Sequence, residues 1–378
     1  MRLKLSEFLI HYDIMKFKLT PENLRKLKKF VSSNLYFSKA KENYSSYWDL
    51  HSKKMNIKFY DDGVDISGDS GFYIPNSKFS KVQKIIRNPL KIVYKINQIY
   101  KDLFSLPKFI KWSDGFNAVM QGDFITDPDL SPYRINHKEL ALTNKDIIKN
   151  MIELYDFHNK NFKFPINDQI IIAYYFRNLL ISFIKKEPND VLEIGGGNGN
   201  FMSILLLTFN QKNTYMIDLP ESIVNAFVFL SSNFPNVKIL LPDEIEDISN
   251  EFKYNEDMKK IIFLTPQQVN TIPESKIDIT INTHSFQEMN QMEIKNYFHF
   301  IQKKSKNKGL FFCVNRVEKI PTSELSYVEI QNSKPNRFYE YPWHKKNNML
   351  IDEISRLHRI CMADNVGIRL QEIVNNEE

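Results

Sequence analysis

The chain has 378 residues, of which 42% are hydrophobic, and 51 Lys and Arg against 45 Asp and Glu. That length exceeds one typical domain and suits two, so a sizeable core can form without disulfide bonds. No apolar run approaches the roughly 18 residues of a membrane span, and charges interrupt the apolar N-terminus, so we expect a cytoplasmic protein with no transmembrane segment and no secretory signal.

Positive charge is concentrated in the N-terminal part. Residues 1–110 hold 21 Lys and Arg against 10 Asp and Glu, and the remainder is slightly acidic. A basic region can face an anionic membrane surface, a nucleic acid or a phosphorylated carbohydrate, although a solvated surface without a partner is the simpler alternative. No Arg-rich run or RNA-binding signature accompanies the excess, so nucleic acid is not expected as a partner.

We interpret residues 1–165 as a mostly helical N-terminal domain that contributes to acceptor binding. Thr20 followed by Pro21 predicts the start of a helix, with Thr20 as the N-cap. Residues 61–76 contain three glycines and read as a loop with short strands at most, and a second loop is predicted at 122–133.

Residues 166–378 alternate between helical patterns and short apolar runs, which is typical of a parallel α/β sheet. The third strand has two candidates, 237–241 and 260–264, and the second is preferred because it is more apolar and leads into a polar turn. The last segment, 366–373, alternates like a strand that closes the sheet. The other predicted elements are helix 168–186, strand 190–194, helix 200–209, strand 214–217, helix 221–234, strand 278–283, helix 291–304 and strand 310–314.

Four of the chain's 11 glycines fall within five positions, between an apolar strand and an apolar helix. They are Gly195, Gly196, Gly197 and Gly199. Glycine is needed where the backbone takes a positive φ or approaches a ligand closely. Asp218 ends the next strand, at the spacing where a carboxylate accepts hydrogen bonds from ribose hydroxyls. The pattern predicts a nucleotide-cofactor site, with a purely structural turn as the alternative.

The details of the glycine run distinguish between cofactors. The dinucleotide fingerprint GxGxxG requires Gly or Ala at position 200, where this chain has Asn200, so a nicotinamide-dependent oxidoreductase is disfavoured. Residues 193–199 instead match ExGxGxG and resemble class I methyltransferases. That resemblance implies S-adenosylmethionine as the cofactor, with Glu193, the four glycines, Asp218 and Leu219 around it.

From residue 191 onward the chain resembles a bacterial family of sugar O-methyltransferases. The resemblance rests on VLEIGGGNGN (191–200), MIDLPES (216–222), DITINTHSFQEM (278–289) and YEYPWH (339–344). It implies a Rossmann-like seven-stranded sheet with helices on both faces, and methyl transfer to a hydroxyl of a sugar that is nucleotide-linked or part of a surface glycan. The alternatives are methyl transfer to another small molecule and an inactive cofactor-binding protein that serves as an interaction partner. The oligomeric state, including a homo-oligomer, is left open.

Polar residues that follow the strands are the candidates for the remaining roles, because ligands lie beyond the carboxyl ends of parallel strands. Thr265 and Gln267 follow the preferred third strand and are candidates for contacting the adenine, or form a plain surface turn. Asn282 follows the fourth strand, beside the expected sulfonium. Few carboxylates follow the fourth and fifth strands, so no metal is expected.

A sugar hydroxyl is a poor nucleophile, so a general base is expected. His284 and Glu288 are the candidates, although His284 can instead be structural, and Glu288 can orient His284 or cap the next helix. Tyr341, Trp343 and His344 suit a wall on which a sugar stacks, with a buried aromatic cluster as the alternative. Arg316 suits an anionic acceptor or is a surface residue.

Overall fold

The computed structural model describes residues 16–33, 55–67, 168–245, 259–319, 335–355 and 366–375. The predicted loop at 122–133 and the predicted domain boundary at 165 lie outside these ranges. Within them, no helix is long and apolar enough to cross a membrane.

Five α-helices and thirteen strands occur in the described residues, and a few short 3-10 turns connect them. The helices are α1 (Pro21–Ser32), α2 (Asp168–Ile181), α3 (Asn200–Thr208), α4 (Pro220–Asn233) and α5 (Gln291–Lys304). The strands are β1 (Lys16–Lys18), β2 (Asn56–Phe59), β3 (Gly63–Ser67), β4 (Asp190–Ile194), β5 (Asn213–Ile217), β6 (Lys238–Leu240), β7 (Lys260–Leu264), β8 (Ile277–Thr283), β9 (Ser305–Arg316), β10 (Glu318–Lys319), β11 (Asn336–Arg337), β12 (Asn348–Ser355) and β13 (Val366–Glu372).

The central sheet has eight strands in the order β12-β13-β9-β8-β4-β5-β7-β6. The strands from β9 to β6 pair in parallel, and β13 pairs antiparallel with both β9 and β12. The chain runs from β4 through β5 to the edge strand β6, returns to β7 between β5 and β6, and then crosses to β8 on the other side of β4. The order therefore reverses between β4 and β8, which is where an open α/β sheet leaves a crevice for a ligand.

Apolar layers cover both faces of this sheet. Strands β4, β5 and β7 are buried along their whole length, as expected of parallel strands with helices on both sides. One layer lies against α2, α3 and α4, and the other lies against α5. The predicted α/β architecture is confirmed.

The predicted count of seven strands is not confirmed, because both candidates for the third strand form strands. The preferred segment is β7, which lies beside β5 and is buried on both faces. The other segment is the edge strand β6, whose Ile239 and Leu240 are buried while it pairs with β7. The segment expected to close the sheet, now β13, lies instead between β9 and β12.

The described N-terminal elements mix helix and sheet. Strands β1, β3 and β2 form an antiparallel sheet beside the single helix α1, so a mostly helical region is not confirmed there. The predicted start of α1 is confirmed, since the Thr20 side chain accepts a hydrogen bond from the Asn23 amide at 3.2 Å. Leu27 and Phe30 of α1 are fully buried in the same apolar layer as α4.

Candidate functional site

The glycine turn joins β4 to α3 at the carboxyl end of the sheet. Gly195, Gly197 and Gly199 have φ values of 69°, 57° and 79°, in the left-handed region that favours glycine. A Cβ atom on Gly195 would lie 2.1 Å from the Ser285 hydroxyl oxygen. The turn therefore requires glycine for its conformation and also for the close approach of the segment that follows β8.

The turn is hydrogen-bonded directly to Asp218. The Gly197 amide donates to Oδ2 of Asp218 at 2.7 Å, and the Leu219 amide donates to Oδ1 at 2.7 Å. Asp218 is buried, and burial raises its pKa to about 7 although both amides lower it; the negative charge of Glu288 raises it further. The structure thus brings together the glycines, Asp218 and Leu219 that the sequence singled out.

Glu193 lies behind the turn and is only 1% exposed. Its Oε2 atom has no hydrogen-bond partner among the described residues, and it would lie 2.9 Å from a Cβ atom on Gly196. Burial raises the pKa of Glu193 to about 8, and the charge of Asp218 adds to this, whereas a hydrogen bond from the Met202 amide lowers it. Glu193 therefore supports the turn from inside and does not line the crevice.

A buried network fastens the ends of β4, β8 and β9 to one another. The Asn282 amide group donates to the carbonyl of Ile194 at 2.9 Å and to the Ser285 hydroxyl at 2.5 Å. The Ser285 hydroxyl also bonds the Ile194 carbonyl, at 3.1 Å. Asn315 donates to Asn282 Oδ1 at 2.8 Å, and both asparagines are fully buried. Asn282 thus lies near the end of β8, with its amide group engaged in holding the strand ends together.

His284, one predicted general base, lies two residues before the 3-10 turn that follows β8, and Glu288, the other candidate, is the last residue of that turn. His284 is half-buried, has a φ of 62°, and its ring centroid lies 6.0 Å from that of Phe176 on α2. Glu288 forms a 2.6 Å ion pair with Lys319, and each side chain is 13% exposed. Glu288 does not cap the next helix, because Asn290 caps α5. Its carboxylate is paired with Lys319 and so does not orient His284.

Thr265 and Gln267 follow β7 and differ in exposure. Thr265 is 1% exposed, and its amide and hydroxyl both contact Oε1 of Gln268, at 3.1 Å and 3.2 Å, as the start of a 3-10 turn. Gln267 is exposed. Of the two residues predicted near an adenine, only Gln267 presents its side chain to solvent.

Tyr341 and Trp343 form the buried aromatic cluster that was the alternative to a sugar-stacking wall, whereas His344 is exposed. Tyr341 is 7% exposed and packs with Phe298 and Phe338 in the apolar layer, and the Trp343 indole donates to the Phe338 carbonyl at 2.9 Å. The Arg369 guanidinium stacks on Trp343 at 4.2 Å from the ring centroid. These rings bury apolar area, which is the commoner use of aromatic clusters.

No family model and no curated protein matches the chain. Among solved structures, it is similar to geranyl diphosphate C-methyltransferase from Streptomyces coelicolor A3(2), crystallised with Mg²⁺, geranyl-S-thiolodiphosphate and S-adenosyl-L-homocysteine. The identity is 9% over 54% of this chain and 79% of that chain, with a TM-score of 0.36. It is also similar to N-methyltransferase NodS from Bradyrhizobium japonicum WM9 bound to S-adenosyl-L-homocysteine, at 10% identity over 55% and 86% of the two chains and a TM-score of 0.35. Values this low carry no inference about ligand or reaction.

Proposed function

We propose that this chain is an S-adenosylmethionine-dependent methyltransferase whose acceptor is a hydroxyl of a sugar, either nucleotide-linked or within a glycan. The observation that carries the cofactor assignment is the 2.7 Å hydrogen bond between the Gly197 amide and Asp218. It joins a glycine turn to a carboxylate at the carboxyl ends of neighbouring parallel strands, one strand away from the reversal of strand order. Ligands of open α/β sheets bind at such a reversal.

The donor set of this site fits the cofactor. Each oxygen of Asp218 accepts one backbone amide and keeps acceptor capacity for a ribose hydroxyl. The Asp218 carboxylate, which forms no ion pair among the described residues, also suits a ligand that carries a positive charge. S-adenosylmethionine, when bound, supplies an electrophilic methyl group on a sulfonium.

The chain's own residues would position the acceptor and take up its proton. Methyl transfer is an in-line displacement at carbon, so holding donor and acceptor in line and excluding water is the main task. His284 follows β8, two residues after Asn282, and its left-handed φ is a local strain of the kind that clusters at functional sites. We assign it the role of general base. Glu288, which is paired with Lys319, is the weaker candidate.

Calorimetric titration with S-adenosylmethionine, S-adenosylhomocysteine and NAD tests the cofactor assignment. Asp218→Asn removes a charge-assisted acceptor and should cost on the order of 1.5 to 3 kcal/mol, about tenfold or more in affinity. Glu318→Gln, which removes an exposed carboxylate from the outward face of β10, is the control and should bind like the wild type. A wild-type chain that binds NAD and ignores both sulfur ligands would refute the assignment.

Mass spectrometry tests the acceptor. Nucleotide sugars and glycans are incubated with the chain and S-adenosylmethionine, and products heavier by one methyl group are sought. The panel should include non-sugar hydroxyl and amine compounds, because a product among these alone would replace the sugar by another small molecule. Binding of the cofactor without any product would favour an inactive cofactor-binding protein.

His284→Asn tests the base, because Asn tolerates the left-handed backbone at this position but accepts no proton near neutral pH. Turnover should fall about 100-fold while the affinity for S-adenosylhomocysteine stays near that of the wild type. Assays with EDTA and with added magnesium accompany it. Activity lost with EDTA and restored by magnesium would contradict a metal-free mechanism, and an unimpaired variant would move the base to Glu288 or to the N-terminal region.

We also propose that residues 1–165 contribute acceptor contacts. Because Leu27 and Phe30 are buried against the layer that contains α4, deleting this region would expose apolar surface and confound an activity assay. Charge-reversing substitutions in the basic region are therefore preferable to truncation. They should raise the KM for an anionic acceptor and leave cofactor binding unchanged; an unchanged KM would refute the proposal.

A further inference from the structure

A two-stranded ladder, β10 and β11, lies against the 3-10 turn Phe286–Glu288 that follows His284. In its register, Lys319 is opposite Asn336 and Glu318 is opposite Arg337. Successive residues of a strand point to opposite faces, so these two cross-strand pairs face in opposite directions. Glu318 and Arg337 form an ion pair at 2.6 Å, with 54% and 38% of their side chains exposed. The pair formed by Lys319 and Asn336 faces the turn.

The 3-10 turn Phe286–Glu288 needs support from outside itself. The Phe286 carbonyl accepts from the Met289 amide at 3.1 Å, but the turn is only three residues long, so the carbonyl groups of Gln287 and Met289 lie beyond its own hydrogen bonds. The residue two positions before it, His284, is held at a φ of 62°. Such a conformation persists in a residue other than glycine when surrounding contacts determine it.

Asn336 supplies partners for these carbonyl groups. Its side-chain nitrogen lies 2.6 Å from the carbonyl oxygen of Met289, 3.3 Å from that of Gln287 and 3.5 Å from that of Phe286. The residue is 2% exposed, so water does not compete for this amide. Asn336 thus caps the turn from 47 residues away in the sequence.

Lys319 holds the same turn through its side chain. Its ammonium group lies 2.6 Å from Oε1 of Glu288, the last residue of the turn. On the opposite side, Asn315 Oδ1 accepts from the Gln287 amide at 3.1 Å, and Gln287 Oε1 accepts from the Arg316 amide at 2.7 Å. The turn is therefore held between the ladder and the end of β9.

We infer that Asn336 is a positioning residue, which, with Lys319 beside it, fixes the segment after β8 so that the imidazole of His284 keeps one place relative to the glycine turn. The role given to His284 rests on the proposed function. Its position relative to Asn336 can be tested without any acceptor, so the two ideas can fail separately.

The test uses the full-length chain labelled with ¹³C at Cε1 of its eight histidines. The His284 signal is assigned by its loss in His284→Asn. Asn336→Asp keeps the size of the side chain but replaces the donor with an acceptor that faces carbonyl oxygens. We expect its His284 signal to shift or broaden, and turnover of any acceptor found to fall about 100-fold, because small misplacements of a reacting group cost that much. Affinity for S-adenosylhomocysteine should be unchanged.

The matched control is the double variant Glu318→Gln, Arg337→Met, which removes the outward pair of the same ladder. It should lower Tm slightly and leave the His284 signal in place. If Asn336→Asp also lowers Tm but leaves the His284 signal at its wild-type position, Asn336 is only structural and the inference is wrong. If Asn336→Asp does not fold, Asn336→Ser, which keeps a shorter donor, must shift the signal or the inference fails. Absence of S-adenosylhomocysteine binding in the wild type would refute the proposed function alone.

Discussion

Replacing Glu193 by Gln should change how stability depends on pH. Glu193 is buried behind the glycine turn, and its pKa is raised from 4.5 to about 8 in the folded chain. Between these pH values the folded state keeps a proton that the unfolded state has lost, so stability falls as pH rises and levels off above about 8. Each pH unit in this range lowers the free energy of unfolding by about 1.4 kcal/mol, so the loss from pH 6 to pH 8 is roughly 2 to 3 kcal/mol.

Gln is isosteric and does not ionise, so Glu193→Gln should lose that part of the dependence. Urea unfolding at pH 6 and pH 9 measures it. Because the wild type has already lost part of its stability at pH 6, the variant should be more stable by roughly 2 kcal/mol at pH 6 and by roughly 4 to 5 kcal/mol at pH 9. Glu318→Gln, an exposed position, controls for loss of one carboxylate. Parallel profiles for wild type and Glu193→Gln would show that Glu193 is ionised in the folded chain and refute the reasoning.

Three further predictions follow from the same geometry. Gly195→Ala should abolish S-adenosylhomocysteine binding in calorimetry, because its methyl group would lie 2.1 Å from the Ser285 hydroxyl and its φ is 69°; retained affinity would contradict this. Asp352 and the Arg369 guanidinium form a buried ion pair at 2.7 Å, and Asp352→Asn leaves the guanidinium buried without its counter-charge. The free energy of unfolding, measured in urea, should fall by about 3 to 5 kcal/mol. A loss below about 1 kcal/mol would show that the pair is effectively solvated. S-adenosylmethionine affinity should weaken by up to about tenfold per pH unit below pH 7, because the ionised form of Asp218, whose pKa is about 7, is the stronger acceptor; titrations that do not change between pH 5.5 and 8 would contradict it.

The local sequence was sufficient for the parts of the fold whose signals are short-range. Glycines between an apolar strand and an apolar helix predicted the turn after β4, and Thr20 with Pro21 predicted the start of α1. The number of strands was not predictable in the same way. Segments 238–240 and 260–264 are both apolar, and only the pairing of the sheet shows that the first is an edge strand beside the second.

The site shows the same division between local and long-range information. Asp218 could be placed beside the turn because its spacing from the glycines reflects one βαβ unit. The partner of Glu288 could not be predicted, because Lys319 comes 31 residues later in the chain. It lies on a two-residue strand, which is too short to show a periodic pattern. The sequence left two alternatives open for Tyr341 and Trp343 for a related reason: a run of aromatic residues does not show whether it faces a ligand or a core.

The two ends of the central sheet differ in how their charges are satisfied. At the amino ends of the strands, Asp278 accepts two backbone amides and pairs with Lys306 at 2.7 Å, and the buried Asp190 accepts from Asn213 at 2.8 Å. At the carboxyl ends, Asp218 and Glu193 have raised pKa values, and an oxygen of Glu193 lacks a partner among the described residues. A buried carboxyl with a raised pKa beside a crevice is a candidate for function, and Asp218 meets that description, whereas Glu193 supports the turn from behind. We therefore expect the functional residues at the carboxyl ends of the strands, on grounds that do not depend on any resemblance.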